Sequence, residues 1–495
     1  MKKTQKKTRN SRRPTDLDVI IVGAGIAGIN TAYYLQTQMV GTSYAILEGR
    51  SRIGGTWDLF RYPGIRSDSD MTTFGFSWYP WTRPERLGAA EHIISYMQKS
   101  AAAFGIDENI RFNHKVHTAD WSSASKSWTL IVADSQGKSQ EYHAKFLVLG
   151  TGYYNYEHPL ETTIPGLSNF NGPVIHPQFW PENLDYSGKD VVVIGSGATA
   201  VTLIPSLAEK AKSVTMLQRS PTYIIAQPTE YTESGLVKFI QRFLPAGAAT
   251  AFKRLRFIVS GTLFYGYCML FPARARRLLR DATVKQLPAG LSWDPHFNPR
   301  YNPWRQRLCL CPAGDFYAAL RSGKAGVVTD TIDTVTAGEI RLASGRAVRP
   351  DIIVTATGLK LQFAGGVRLS VDGAEVHTAE KFTWKGSMIQ DVPNLMFVMG
   401  YVNASWTLGA EVTAQHLVRL LRVMQQRGAR VAVPRLDNPG KMQEKSVFNL
   451  SSGYVQSANQ MFPRAGSGCW DHKRNYLLDI LDAQFGSVTK GLSIE

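Results

Sequence analysis

Cysteine is scarce in this chain: Cys268, Cys309, Cys311 and Cys469 are the only four among 495 residues. So few thiols in so long a chain exclude a disulfide framework and fit a reducing compartment. Cys309 and Cys311 stand too close together for a thioredoxin-type pair, and no second Cys or His cluster nearby suggests zinc, so both are read as core packing. An apolar run of roughly 18 residues is also missing, and no membrane-crossing helix is predicted. The nearest is "FIVSGTLFYGYCMLF", 257–271, flanked by "FKRLR" and "ARARR". Its basic flanks suit a membrane-surface segment, and its aromatics equally suit a buried helix beside a substrate cavity. Acids are in deficit as well, 39 against 56 Lys and Arg, for a net charge of +17. Seven of those cations crowd into "MKKTQKKTRNSRR", which has no acid and no apolar residue after Met1. Residues 1–15 are therefore expected to be a disordered, solvated tail, with attraction to anionic lipid as the sharper alternative. The tail lacks the apolar core of a secretory signal, which predicts a cytoplasmic protein, peripheral association with the inner membrane surface being left open. The charge is not read as a nucleic-acid footprint.

What is present is a globular composition, 44% hydrophobic and 19% charged, over a length suited to two or three domains. Residues 18–35, "DVIIVGAGIAGINTAYYL", read as an apolar strand, a glycine turn and a helix. In that pattern Gly23 permits the tight turn, Gly25 lets backbone approach a pyrophosphate, and Gly28 allows close helix packing. Glu48 ends the next strand, where an acid accepts hydrogen bonds from ribose hydroxyls and repels a 2′-phosphate. This unit suits the AMP half of FAD or NAD. The unit recurs as "DVVVIGSGATAVTLIPSLA", with Gly195, Gly197 and Ala200 in the three small-residue places and Ala198 and Thr199 opening the helix. Its second strand ends in Gln218, Arg219 and Ser220 without an acid, so this half reads as an NADPH site in which a cation meets the 2′-phosphate.

Two further strands, "KFLVLGTGYY" and "DIIVTATGLK", end in small residues and mark crossings between domains. The expected fold class is α/β, with two Rossmann-like dinucleotide-binding domains and a mainly helical insertion. The first domain takes residues 16–155 and returns at 359–495. The linker and second domain take 156–222 and 323–358, and the helical insertion, expected to cap the substrate site, takes 223–322. Near the C-terminus Val412, Leu417, Leu420, Leu421 and Met424 fall at helical spacing before a Gly428 stop, which predicts a structural helix.

Before the second glycine turn lies "FNGPVIHPQFWP", an aromatic, proline-rich loop. Its Phe170, Gly172, His176, Trp180 and Pro181 resemble closely the fingerprint of type I Baeyer-Villiger monooxygenases, within the class B flavoprotein monooxygenases. "GGTWDLFRYPGIRSD" is similar to a second signature of the group, through Gly54, Gly55, Trp57, Tyr62, Pro63, Gly64 and Asp68. "NPRYNPWRQRLCLCPAGDFYAAL", 298–320, is similar to the region holding the group's active-site arginine. The similarity spans about residues 16–470 and, through "YNPWRQRLC" and "NASWTL", is strongest to the ethionamide-activating monooxygenases of actinobacteria.

The resemblance implies FAD held by the first turn with Gly55, Thr56, Trp57 and Asp68, and NADPH held by the second. It implies that NADPH reduces the flavin, that O₂ then gives a C4a-peroxyflavin, and that ketones or aldehydes become esters or lactones while sulfides are oxygenated. Arg307 is implied as the catalytic cation, Asp68 as the residue that holds it; Arg305, two positions away, remains an alternative. His176 is read as a linker residue that fixes domain geometry. Three rivals stay open: a flavin-containing monooxygenase or N-hydroxylase acting on amines or sulfides; a pyridine-nucleotide disulfide reductase, disfavoured because no cysteine pair adjoins the first helix; and a membrane-associated flavoprotein without monooxygenase activity.

Overall fold

The computed structural model describes residues 15–231, 234–448 and 460–495, together with Gly453 and Val455. Residues 1–14, nearly the whole of the expected basic tail, lie outside the described residues. Two sheets organise the molecule. The first holds nine strands among the described residues. At its parallel centre Asp16–Val22 lies between Tyr44–Leu47 and Ser139–Leu149. Ile21 points into a layer made by helices Ile26–Gln38 and Trp406–Arg427, and Ile20 into an opposite layer containing Trp121 and Trp128. A strand covered on both faces has no polar side to alternate with, which is why "VIIV" is apolar throughout. The chain comes back to this sheet late: Arg368–Val371 pairs with Lys115–Ser122, and Leu395–Phe397 with the end of Ser139–Leu149. Val412, Leu417, Leu420 and Met424 are buried on the helix that ends at Gly428, whose φ of 65° is the left-handed turn glycine supplies cheaply.

The second sheet holds five parallel strands, in the order Ala325–Thr329, Ser213–Gln218, Asp190–Ile194, Ile352–Thr355 and Val174–Ile175. Here the structure differs from a linker reading of the "FNGPVIHPQFWP" loop. Val174–Ile175 is the edge strand of this sheet, and Trp180 is buried in its core, edge-on to Tyr186 at 6.4 Å. Phe170 packs with Ile164 and Leu167 on the opposite face. Two prolines suit an edge strand, where a missing N–H costs no ladder bond. The stretch is thus built into the second unit rather than strung between the two.

The helical insertion also differs from expectation in extent and in place. Its helices are Gly235–Arg242, Ala246–Leu270 and Pro272–Val284. Cys309–Pro312 and helix Asp315–Arg321, expected inside it, instead pack on helix Ala198–Ala208 in the second unit's core. Apolar Cys309, Cys311, Phe316 and Tyr317 complete a core that the shorter element set would leave open. The helices act as a strap rather than a cap. Arg254 donates to the carbonyls of Thr72 and Gly75 and pairs with Glu411 at 2.8 Å, tying the long helix to the first unit, while Leu279 packs with Tyr223 and Leu308 beside the second.

Glu411 is 2% exposed, so removing its cation leaves a buried charge without its counter-ion. Arg254→Met is therefore expected to destabilise the chain by about 3–5 kcal/mol, read as a shift of the urea midpoint, whereas Glu411→Gln combined with Arg254→Met recovers much of that loss.

Candidate functional site

Both glycine turns open into one cavity of about 880 Å³. The first turn contributes Gly23, Gly25 and Glu48, with Gly55, Thr56 and Trp57 from the next loop; the second contributes Gly195, Gly197, Ala198, Thr199, Arg219 and Ser220. At Gly28 a Cβ would stand 1.9 Å from the Gly23 carbonyl oxygen, and at Gly195 it would stand 2.2 Å from the Ala356 carbonyl oxygen. These positions need glycine for the fold itself. Gly197 has nothing within 4 Å of the place a Cβ would occupy, so packing within the protein does not demand its smallness.

The donor set fits a dinucleotide at each turn. Helices Ile26–Gln38 and Ala198–Ala208 start from Gly25 and Gly197 with no side-chain cap, so first-turn N–H groups remain for a pyrophosphate. Glu48 is buried in the cavity wall, and its carboxylate accepts from the Ala24 and Arg50 N–H groups at 2.7 and 2.8 Å. Burial pushes its pKa up, and those two N–H groups pull it back down. The acid is thereby held in a fixed orientation on the cavity wall. Thr56 Oγ1 lies 3.1 Å from the Tyr156 hydroxyl, whose pKa burial raises to about 12. On the second side Ser196 Oγ donates to the Ser220 carbonyl oxygen, and Arg219 is exposed at the cavity mouth.

The segment "YPGIRSD" carries the contact between units, and it does so at every second residue. Tyr62 meets Thr199 by a side-chain hydrogen bond. Gly64 abuts helix Ala198–Ala208 so tightly that a Cβ would stand 2.0 Å from Ser206 Oγ. Arg66 makes a two-pronged ion pair with Asp315 at 2.6 and 3.3 Å. Asp68 accepts from Arg307 Nη1 at 2.9 Å. Asp68 and Arg307 both line the cavity, each about a third exposed. Arg305 is not among its lining residues, which separates the two arginines the sequence left open.

Several lining groups escaped the sequence reading. Trp406 stacks on Tyr153 at 4.8 Å, and this aromatic wall adjoins Arg307 in a second, smaller cavity. Asp58, behind the wall rather than in it, is buried among Arg50, Arg61 and Arg52 at 2.6, 2.8 and 3.4 Å and braces the Gly54–Gly55 loop; only its position beside the signature glycines hinted at it. Asp330 brings an acid near Arg219 from the neighbouring strand end, its carboxylate engaged by Thr331 N–H and Ser344. That acid was invisible because it lies a hundred residues away in sequence. Conversely, Phe170, Gly172, His176, Trp180 and Pro181 are not in the cavity wall. His176 Nδ1 accepts from Gln178 N–H at 3.3 Å and burial lowers its pKa, so it closes a turn at the sheet edge. Among the described residues, none of the helices between 235 and 284 lines either cavity.

The family model for pyridine nucleotide-disulphide oxidoreductases matches residues 20–238. Its disulfide chemistry has no counterpart near the first turn: all four cysteines are free, and none lies in or beside helix Ile26–Gln38. The chain is 46% identical to the FAD-containing monooxygenase EthA of Mycobacterium tuberculosis (strain ATCC 25618 / H37Rv), over 95% of this chain and 96% of that one. It is 42% identical to the probable FAD-binding monooxygenase AlmA of Acinetobacter baylyi, over 94% and 93%. Among solved structures, an oxidized steroid monooxygenase bound to NADP shares the fold with a TM-score of 0.73, at 22% identity over 97% of this chain and 99% of that one. A polycyclic ketone monooxygenase from Thermothelomyces thermophila shares it with a TM-score of 0.76, at 17% identity over 99% and 91%.

The glycines provide a direct test of structural against ligand-directed smallness. Gly28→Ala is expected to lower the melting temperature and empty the first site together. Gly197→Ala is expected to leave the melting temperature unchanged and raise KM for the nicotinamide nucleotide, by steady-state kinetics.

Proposed function

The chain belongs to the FAD-containing monooxygenases, and on that premise we propose that it is a Baeyer-Villiger enzyme, using NADPH and O₂ to convert ketones or aldehydes into esters or lactones and to oxygenate sulfides. The observation that carries this reading is the Arg307–Asp68 pair in a cavity reached by both glycine turns. FAD would lie along Gly23, Gly25, Glu48, Gly55, Thr56 and Trp57, and NADPH along Gly195, Gly197, Ala198, Thr199, Arg219 and Ser220. When bound, the flavin supplies oxygen activation and the nicotinamide supplies the hydride.

The protein's share is electrostatic and geometric. Arg307 keeps its proton at any working pH and presents several directed N–H groups, so it can receive the negative charge that develops on a substrate carbonyl oxygen under attack. Asp68 acts on Arg307 rather than on substrate: its carboxylate fixes the guanidinium's direction and offsets part of its charge. Tyr153 and Trp406 keep the neighbouring wall apolar, which limits water and strengthens the field of the nearby cation. Arg219, exposed at the mouth, is suited to a 2′-phosphate, with Ser220 as a second donor. No single helix among the described residues is long and apolar enough to cross a membrane.

Two outcomes test the assignment. Arg307→Ala is expected to cut formation of the oxygenated product by about 10²–10³-fold, while NADPH is still consumed and hydrogen peroxide accumulates. A panel of ketones, thioethers and amines with mass detection of one added oxygen reads this. Unchanged ester formation, or oxygen transfer to amines alone, removes the Baeyer-Villiger reading. Arg219→Ala is expected to raise KM for NADPH by about ten- to a hundredfold, the weight of one charge-assisted hydrogen bond, and to leave KM for NADH unchanged.

A further inference from the structure

The strap helices carry a surface that the redox site does not use. Residues 234–280 contain nine Lys and Arg and no Asp or Glu. Over the same stretch large apolar side chains face solvent: Leu255 is 51% exposed, Leu263 66%, Leu270 75%, Phe271 47% and Leu278 53%. Leu255, Leu263 and Leu270 lie about two turns apart along one helix, so they fall on one side of it. Helices Ala246–Leu270 and Pro272–Val284 meet at a bend of 115°, with Leu270 and Phe271 at its apex. Arg274, Arg277 and Arg280 are exposed on the second helix, just behind that apex. An apolar patch this exposed is unusual for a protein surrounded only by water.

We propose that this bent pair is a docking surface for an anionic lipid bilayer. The occupant follows from charge and shape. A leaflet of anionic headgroups complements a strongly cationic face, on which exposed Asp281 is the one acid of the two helices, and the acyl boundary just beneath it takes the apolar apex. A bend of 115° prevents the pair from crossing as one straight span, so the protein rests on the surface with its apex sunk among the headgroups. The contacts of Arg254 with Thr72, Gly75 and Glu411 tie this face to the first unit, and neither of these two helices lines the cofactor cavity. The proposal stands apart from the redox reading and survives or fails without it.

The test is flotation of the full-length, flavin-loaded protein with vesicles of phosphatidylcholine, alone or with a third phosphatidylglycerol, alongside the NADPH oxidation rate. Wild type is expected to float with the anionic vesicles and to be released by salt. Leu263→Glu with Leu270→Glu is expected to lose at least tenfold in vesicle binding. Arg277→Gln with Arg280→Gln, which spares the apolar face, is expected to lose about fivefold per arginine on anionic vesicles only. Both variants are expected to keep the NADPH oxidation rate and the bound flavin. Failure of wild type to float overturns the proposal. So does binding that survives both pairs of substitutions, which would assign it to the basic tail. Loss of self-association in the leucine variant without loss of vesicle binding overturns it too, assigning the patch to a second copy of this chain.

Discussion

An ion pair whose partners belong to different units exists only while those units are in register, and Arg307–Asp68 imposes that condition on the site. Asp68 arrives from the first unit's segment between Leu59 and Met71, Arg307 from the segment leading into the second unit's core. The chain does not leave this register to one exposed pair. Tyr62, Gly64 and Arg66 each make a contact to the second unit, two residues apart, so the carboxylate is delivered by three neighbouring fixings. The close approach of Gly64 to Ser206 sets the distance, and the Arg66–Asp315 fork sets the angle. A single surface ion pair contributes little on its own; here its value lies in where it holds a charge.

The crossings between units obey the same logic. Residues 153–155 and 360–362 run antiparallel and share hydrogen bonds, Asn155 N–H to the Lys360 carbonyl at 2.8 Å and Gln362 N–H to that of Tyr153 at 3.0 Å. Paired crossings resist independent bending, and Gln178, donating to the Asn155 carbonyl at 2.6 Å, links them to the loop at the edge of the second sheet. The "FNGPVIHPQFWP" loop therefore acts at a distance: Trp180 seats it in the second core, and Gln178 reaches the hinge. The strap helices close the far side through Arg254 and Glu411. Three separate ties thus constrain one relative placement of the units.

Much of this was legible in the sequence because local rules were in force. Glycine turns between an apolar strand and a helix leave a short-range signature, and Gly28 and Gly195 occupy places where backbone permits no Cβ. Arg307 and Asp68 were readable through a resemblance, not through spacing, since 239 residues separate them. What was hidden is what long-range packing decides. Asp330, Tyr153 and Trp406 carry no local mark of their place in the wall. Cys309–Arg321 read as insertion because its apolar residues belong to a core built from distant strands. The strap read as a cap because composition reports burial and exposure poorly for a helix that is apolar on both its inward and outward faces.

The central claim is that Asp68 acts through Arg307. The most direct measurement is a double-mutant cycle on the rate of product oxygenation, combining Asp68→Asn with Arg307→Ala. The account predicts strong non-additivity: once Arg307 is gone, replacing Asp68 costs almost nothing further, with a coupling of about 1 kcal/mol or more. Two losses that simply add would mean that the carboxylate and the guanidinium serve the reaction independently, and would contradict it.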